Sequence, residues 1–202
     1  MALTNCYCTL SDLKTSLAIE DIQDDTALEA AILTASRMID DYTGRFFYRD
    51  GTTGAPVTRY YTPDSWYITN LDDFVSLNQI ALDDDFDQTY TTILAASDYL
   101  IDPVNNARRG WPYNRITAID RYIFPYAYPQ SVRVQAVWGW PSVPAEISMA
   151  TKLQASRLFI RRQSPFGIAG TPEIGTVRLT SRLDPDVEAL IRPFRKMSGL
   201  VA

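Results

Sequence analysis

Apolar residues recur at helical spacing near the start of the chain. Between Asp24 and Gly44 they form a single stripe of Leu28, Ile32, Ala35, Ile39 and Tyr42. This stripe predicts a helix that starts at Asp24 or Asp25 and stops at Gly44, because glycine is favoured just beyond a helix end. A shorter helix over about Ser11–Leu17 is predicted before it, since Thr9 and Asp12 stand at the spacing of a capping box.

The spacing changes to that of strands from about Arg45 to Trp140. This stretch is rich in Tyr, Thr, Val and Trp, and turn residues interrupt it. Six short strands are predicted, over Thr58–Thr62, Ser76–Leu82, Tyr90–Leu94, Tyr99–Asp102, Arg115–Ile119 and Ser131–Trp138. Asp83–Asp87 is expected to form a turn, and Asn105–Pro112 and Phe124–Pro129 to form loops. Because no helix separates the strands, we expect an antiparallel sheet folded as a small sandwich or barrel.

A third helix is predicted from Pro144 to Arg162. Its apolar residues make two stripes rather than one, and they are Ile147, Met149, Ala150, Leu153, Ala155, Leu158, Phe159 and Ile160. A helix that is apolar on two sides is usually buried on two sides. One side is therefore expected to face the core of the domain and the other a neighbouring subunit.

The C-terminal part predicts a strand over Thr176–Thr180 and a last short helix that Asp184 and Pro185 begin and Ile191 ends. The predicted fold class is α+β. Residues 1–48 and 141–202 are expected to form a small helical bundle, and residues 49–140 an inserted, antiparallel β-rich block that is sandwich or barrel-like.

The charges divide unevenly between the two halves of the chain. The 202 residues include 19 basic side chains, 24 acidic side chains and no histidine. Residues 1–102 carry 18 acidic and 5 basic side chains, a net of −13, whereas residues 103–202 carry 6 acidic and 14 basic ones, a net of +8. Such an asymmetry indicates a partner, or a neighbouring copy of the same chain.

The composition argues against catalysis. Without histidine, Ser-His-Asp and Cys-His mechanisms are excluded and the most common metal ligand is missing. Cys6 and Cys8 are expected to be reduced, since residues two apart point away from each other in regular structure. We predict no catalytic residue, no cofactor and no metal, and interpret the protein as not an enzyme. The sequence shows no signal peptide and no membrane span, so we expect assembly in the cytoplasm.

Two clusters leave other interpretations open. The carboxylates of Asp83, Asp84, Asp85 and Asp87 resemble half of a calcium loop, but Gln88 and Leu94 stand where that loop needs Gly and Glu. A solvated hairpin turn is the simpler interpretation. The sequence also contains enough aromatic residues to line a sugar groove. They are Trp66, Tyr67, Trp111, Tyr113, Tyr122, Tyr126, Tyr128, Trp138 and Trp140. Cross-strand packing explains such residues equally well, and a glycan-binding or glycan-hydrolysing protein stays an alternative.

Basic residues gather late in the chain. Arg157, Arg161 and Arg162 lie in the last turns of the third predicted helix, and Arg192, Arg195 and Lys196 follow the last one. They are expected either to meet acids on a neighbour or to form a solvated face. Sequence-specific DNA binding is not indicated, because the chain is acidic as a whole and carries no DNA-reading motif.

Three segments, residues 9–47, 132–162 and 183–196, form a recognisable combination. A short capped helix and an acidic turn precede a long helix that ends in Tyr42-Thr43-Gly44-Arg45-Phe46-Phe47, and Gly139-Trp140-Pro141 later leads into another helix. In this order they resemble the head–tail connector (adaptor) proteins of long-tailed bacteriophages and of phage-like gene-transfer particles. The resemblance covers about half of the chain, and the large β block is a departure from the smaller members.

The resemblance implies a structural role in the neck of a virion. Such proteins form a ring, dodecameric in the family, below the portal after DNA packaging. The ring extends the DNA exit channel and offers a docking surface to the tail or a stopper protein, while DNA passes without sequence-specific contact. Assembly is expected in the host cytoplasm, without a membrane. A tail-completion or terminator protein is a second alternative within the structural class.

The resemblance also implies where the contacts lie. Subunit or portal contacts are expected at Met149, Leu153, Arg157, Ile160, Arg161, Arg162, Phe166, Ile168, Phe194, Arg195 and Lys196. Of these, Phe166 and Ile168 belong to the segment Ser164–Thr176, and the last three to the tail Phe194–Ala202. The acidic surface is expected to face the channel and the basic surface to face protein neighbours.

Overall fold

The computed structural model of the chain describes residues 4–50, 54–119, 122–162, 168–169, 177–178 and 183–196. It divides into two compact units. The helical unit comprises Met1–Arg45 and Val143–Ala202, and the sheet unit comprises Phe46–Ser142. Helices and an antiparallel sheet occur together, which confirms the predicted α+β class.

Four α-helices build the helical unit: α1 (Leu10–Leu17), α2 (Asp25–Thr43), α3 (Ala145–Arg161) and α4 (Pro185–Ile191). Helices α1, α2 and α4 all contact α3. The core between them is formed by the buried side chains of Cys8, Leu13, Leu28, Ala31, Ile32, Ala35, Ala155 and Phe159. The apolar stripe predicted for α2 is therefore its buried side.

Local signals place the helix ends close to where the sequence predicts them. The Thr9 side chain accepts a hydrogen bond from the backbone of Asp12, and the Asp12 carboxylate accepts one from the backbone of Thr9, which completes a capping box. Gly44 ends α2 in the left-handed region at φ 65°, and its N–H donates to the Asp40 carbonyl over 2.7 Å. The Asp184 side chain caps α4, which Pro185 begins.

A six-stranded antiparallel sheet builds the other unit. Its strands are β1 (Val57–Tyr61), β2 (Ile68–Leu82), β3 (Thr92–Ile93), β4 (Tyr99–Asp102), β5 (Tyr113–Ala118) and β6 (Val132–Trp138). They run in the order β1-β6-β2-β5-β4, with β3 beside the end of β2. Because β1 and β4 stand at opposite edges, the sheet is not closed into a barrel, one of the two arrangements predicted.

The 15-residue strand β2 organises this sheet. Its first half pairs with β5 and its second half with β6, and the register shifts near Phe74 and again between Leu77 and Gln79. The sequence predicted only the second half of this strand. Beyond α3, Ile168–Ala169 and Val177–Arg178 pair as two short antiparallel strands, the second of them inside the strand predicted over Thr176–Thr180.

The sheet unit is closed by a backbone contact at Gly139. Gly139 and Arg49 form an isolated antiparallel bridge, and the Asp50 N–H donates to the Trp138 carbonyl over 3.1 Å. Gly139 has φ 99°, and a Cβ atom there would stand 1.9 Å from the Tyr48 carbonyl oxygen. No other residue type fits this position without moving one of the two backbone segments.

We predict that Gly139→Ala lowers the free energy of unfolding by at least about 3 kcal/mol, because the clash is with backbone. Gly110→Ala is the matched control. Gly110 also has a positive φ, of 69°, but nothing lies within 4 Å of its added Cβ. The control variant should therefore lose only about 1 kcal/mol. Urea unfolding measures both, and equal losses in the two variants would contradict the role assigned to the close approach.

A candidate interaction surface on the third helix

Helix α3 has one buried and one exposed apolar side. The buried side chains include Ile147, Ala150, Ala155 and Phe159. On the other side, Met149 is 47% exposed, Leu153 40% and Ile160 54%. Spacings of four and seven residues place these three side chains along one line of the helix, which we call the outer stripe.

The outer stripe is unusual for a surface helix. Full burial of one such side chain is worth about 1.5–3 kcal/mol, so three of them on one side of α3 leave a considerable hydrophobic contribution unused. Single exposed apolar residues are ordinary, whereas several large ones on the same side of one helix, here interrupted by Ser156, are typical of a contact surface. The arrangement fits the expectation that the second apolar stripe of α3 meets something outside its own domain.

Two of the predicted interface arginines pair with acids of their own unit. Arg157 donates to the carboxylate of Asp184, whose other oxygen caps α4. Arg162 donates to the Asp24 carboxylate over 2.6 Å, and its guanidinium carbon lies 4.8 Å from the centre of the Phe159 ring. Both arginines thus link α3 to other parts of the helical unit. Arg161 lies half-buried in the last turn of α3.

The C-terminal residues divide between core and surface. Phe194 is only 6% exposed, so its ring belongs to the core rather than to a contact surface, and its carbonyl accepts a hydrogen bond of 2.8 Å from Arg45 Nε. Arg195 and Lys196 are exposed. The Lys196 N–H donates to the Thr43 carbonyl over 2.7 Å, which fixes this segment to the end of α2.

Most of the glycine-rich segment Ser164–Thr176 lies outside the residues that the structure describes, and Phe166 is among those left out. Ile168 is described by its backbone, which pairs with Arg178 in the two short strands. The contact roles of Phe166 and Ile168 stay predictions.

A buried carboxyl group in the helical unit is Asp40, which the sequence analysis did not single out. It is 5% exposed, accepts a hydrogen bond from the Tyr7 hydroxyl, and lies 3.1 Å from Arg37 Nη2. Burial raises the pKa of Asp40 to about 6, against the opposing effects of Tyr7 and Arg37. Ser36, one turn earlier, accepts the Tyr7 N–H over 3.3 Å. These contacts hold the segment before α1 against α2, so the Asp40 carboxyl has a structural role.

The two cysteines are free thiols, in agreement with the predicted reduced state. Burial raises the pKa of Cys8 to about 11 and also raises that of Cys6. A thiol that resists ionisation is a poor nucleophile. Cys8 is instead a member of the helical core.

The acidic turn after β2 is held by its own backbone. Asp83 is 2% exposed, and its carboxylate accepts hydrogen bonds from the N–H groups of Asp87 and Gln88 at 3.2 and 3.0 Å. Asp84 accepts one from the Thr92 hydroxyl. Within the described ranges, no three acidic or cysteine side chains come together as possible metal ligands. The geometry agrees with the hairpin-turn interpretation.

The aromatic residues are divided between core and surface as well. Trp138 and Trp140 are each 1% exposed, so neither can line a sugar groove. Trp138 packs in the core of the sheet unit, and its indole N–H donates to the Val57 carbonyl over 2.8 Å. Trp66, Tyr67, Tyr126 and Tyr128 do reach the surface.

Among the described residues, no helix is both long and apolar enough to cross a membrane.

Comparison with solved structures identifies the fold. A chain in the neck of an empty gene transfer agent (GTA) particle, computed with C6 symmetry, matches with a TM-score of 0.60 and 18% identity, covering 100% of this chain and 96% of that chain. A chain in the neck of a native GTA particle, computed with C12 symmetry, gives 0.60 and 17% over the same shares. A chain in the virion of a native gene transfer agent particle gives 0.58 and 18%, again over 100% and 96%.

No protein-family profile matches this chain, and no curated protein matches it. The structural matches nevertheless extend over its whole length, including the β block that the sequence resemblance did not cover. The resemblance to proteins of phage-like gene-transfer particles is therefore confirmed at the level of the fold.

We predict that Asp40→Asn stabilises the protein at neutral pH. The carboxyl pKa is about 6 in the folded state against an ordinary value of 3.8. The folded state therefore holds its proton more tightly, and stability is lost as the pH rises from about 4 to about 6. A neutral amide avoids this loss, so the variant should gain about 2 kcal/mol at pH 7.5 and show a flatter profile between pH 4 and 6.

Urea unfolding at several pH values measures both effects. Asp85→Asn is the matched control, because Asp85 is exposed in the sheet unit and is not among the groups that shift the pKa of Asp40. A steep loss of stability in Asp40→Asn over the same pH range would show that another group titrates there.

Proposed function

We propose that this chain is a structural protein of the neck of a phage-like particle, a head–tail connector (adaptor). In this role it forms a ring below the portal after DNA packaging, extends the exit channel for DNA, and offers a docking surface to the tail or a stopper protein. It is placed at the head–tail junction, is assembled in the host cytoplasm, and performs no catalysis.

The matches to GTA neck structures support this role, because they extend over the whole chain and come from structures computed with C6 and C12 symmetry. A subunit of a cyclic ring must present two different, complementary faces to its two neighbours. A chain with the fold of such ring subunits suits this arrangement.

The outer stripe of α3 is the observation that carries the proposal. Met149, Leu153 and Ile160 lie on a helix whose opposite side is already packed against α1, α2 and α4. In a ring, a neighbouring copy covers this stripe and recovers the hydrophobic contribution that the isolated subunit leaves unused. Arg195 and Lys196, exposed beyond α4, remain candidates for contact with the portal or a neighbour.

The charge distribution suits a channel that DNA must leave freely. The chain as a whole has a net charge of −5, and a channel wall lined by its carboxylates repels the phosphate backbone. DNA contact in this role is not sequence-specific. The alternatives, a glycan-active protein and a tail-completion protein, are favoured by no observation as specific as the outer stripe.

We predict that Met149→Glu together with Leu153→Glu prevents ring assembly without unfolding the subunit. Both side chains are substantially exposed, so the free energy of unfolding should change by less than about 1 kcal/mol. Charges inside an apolar contact are costly, so incorporation into particles should fall at least tenfold. Thr26→Glu with Ala30→Glu is the matched control, since it places the same charges at the same spacing on the exposed side of α2.

The incorporated chain is measured by immunoblotting of purified particles, and the free subunit by its melting temperature. If the doubly substituted chain enters particles as well as the control does, the outer stripe is not the contact between copies.

Cryo-electron microscopy of particles that contain the chain tests the location directly. We expect a ring of copies between the portal and the tail, coaxial with the channel. Particles that carry the protein elsewhere, or a neck without it, would refute the proposed role. A monomer in solution does not refute this role, because contacts too weak to close a ring among free subunits can still close one on the portal.

A further inference from the structure

The sheet unit carries an aromatic groove beside the acidic turn. Tyr60, Phe86, Tyr90 and Pro129 are among the residues that line this depression of about 440 Å³. Phe86 is 50% exposed and stacks on Tyr128, with ring centres 4.7 Å apart and planes 16° apart. The rings of Tyr60 and Tyr90 lie 5.4 Å apart. We call this the aromatic groove.

The backbone around the groove is held in an unfavourable conformation. Phe86, Gln88 and Gln130 all have positive φ values, of 58°, 66° and 57°. Each costs about 1–2 kcal/mol for a residue with a side chain. Asp83 offsets part of this cost through its two backbone hydrogen bonds, and the Tyr90 hydroxyl donates to the Gln130 carbonyl over 2.8 Å. This backbone conformation leaves the ring of Phe86 half exposed to water, although the packing of the subunit does not require it.

Exposed acidic side chains lie on the turn that forms one wall of the groove. Asp84, Asp85 and Asp87 are exposed on the turn that carries Phe86. Arg133 lies over the Tyr90 ring, with its guanidinium carbon 5.1 Å from the ring centre. The aromatic wall thus already accepts one guanidinium group, and the carboxylates next to it favour further cations.

A basic loop with a matching character occurs elsewhere in the same unit. The connection between β4 and β5 contains a 3-10 turn, Asn106–Arg109, that exposes Arg108 and Arg109. Val104 in this loop is 73% exposed. Within the described part of the chain, neither guanidinium group has an acidic partner, because no ion pair joins Arg108 or Arg109 to a carboxylate there. We call residues 103–110 the basic loop.

The groove and the loop of one copy start from different points of β2. The acidic turn follows Leu82 at the end of β2, whereas the basic loop leads into Tyr113, which pairs with Phe74. Phe74 and Leu82 stand eight positions apart on the strand, a distance of about 25 Å. Within the described residues of one copy, no ion pair joins Arg108 or Arg109 to Asp84 or Asp85, so both surfaces are available to a neighbour.

We propose that in the assembled ring the basic loop of one copy docks into the aromatic groove of the next copy. Arg108 and Arg109 pair with the carboxylates of Asp84 and Asp85, and Val104 packs against the exposed ring of Phe86. The occupant is a second copy because the two surfaces are complementary in charge and in apolar character. They are also two different surfaces of one subunit, as the heterologous contact of a ring requires. This contact rests on the proposed ring function and places the acidic turn against a neighbour rather than the channel.

A charge-reversal cycle on the full chain tests the contact. Self-association is measured by sedimentation velocity up to about 1 mM at low ionic strength, where ion pairs are least screened. Arg108→Glu with Arg109→Glu should weaken association at least tenfold, and so should Asp84→Lys with Asp85→Lys. The chain with all four substitutions should regain most of it, since each contact then carries the reversed pair.

Two further variants separate this contact from general effects of charge and folding. Glu20→Lys with Asp41→Lys changes the net charge as Asp84→Lys with Asp85→Lys does, but on the exposed surface of the helical unit, and should leave association unchanged. Phe86→Gly removes the ring and relieves the positive φ. It should weaken association at least threefold while the melting temperature stays the same or rises, which a merely structural phenylalanine would not do.

The outcomes distinguish this contact from the function on which it rests. The docking of the loop into the groove is overturned if the wild-type chain stays monomeric at every concentration measured. It is also overturned if neither charge reversal changes the association. If the reversals leave association intact but remove tails from particles, the groove binds a different neck or tail protein and the contact between copies is again overturned. The proposed function is tested separately, by the position of the protein in cryo-electron microscopy of particles, and none of these association results affects that position.

Discussion

The close approach of two backbone segments at Gly139 is the constraint on which the sheet unit depends. This unit begins at Phe46 and ends at Ser142, so its first and last segments must meet if it is to fold as an insertion. They meet where Gly139 bridges Arg49, and a side chain at Gly139 would occupy the place of the Tyr48 carbonyl. Next to this bridge, Phe47 packs on Trp140 with ring centres 5.0 Å apart. A large β block can be inserted between helices because its first and last segments pair with each other.

The helical unit is closed by a comparable set of contacts at the end of α2. Gly44 lets the chain leave the helix in a left-handed turn, the Thr43 carbonyl accepts the Lys196 N–H, and Arg45 Nε donates to the Phe194 carbonyl. Tyr42 adds a hydrogen bond of 2.8 Å to Glu188. Residues that carry the sequence resemblance thus hold distant segments of the chain together. They are recognisable in sequence for the same reason that a catalytic motif is, since few other residues satisfy the geometry.

The sequence predicted what local chemistry determines and missed what distant contacts determine. Helix ends follow from capping residues such as Thr9 and Gly44, so α1 to α4 were placed within about two residues. The first half of β2 was missed because polar residues interrupt its pattern. Asp73, for example, is buried there, and its carboxylate accepts a hydrogen bond of 3.0 Å from the indole N–H of the distant Trp140. Phe194 was predicted to be an interface residue because nothing local reveals that its ring is buried or that Arg45 binds its carbonyl. The outer stripe was predictable, since periodicity alone separates the two sides of α3.

The modest size of the contact surfaces on one subunit has a consequence for how a ring would assemble. Three exposed side chains on α3, or one loop in one groove, fall well short of the roughly 800 Å² per partner that a stable pair of proteins usually buries. In a closed ring, however, every copy makes its contacts with both neighbours at once, and closure turns the last association into an intramolecular step. A platform that holds copies side by side raises their effective concentration in the same way. On the proposed function, weak contacts between free subunits are therefore compatible with a stable ring on such a platform, and weak contacts would keep the subunit from assembling before the platform is ready.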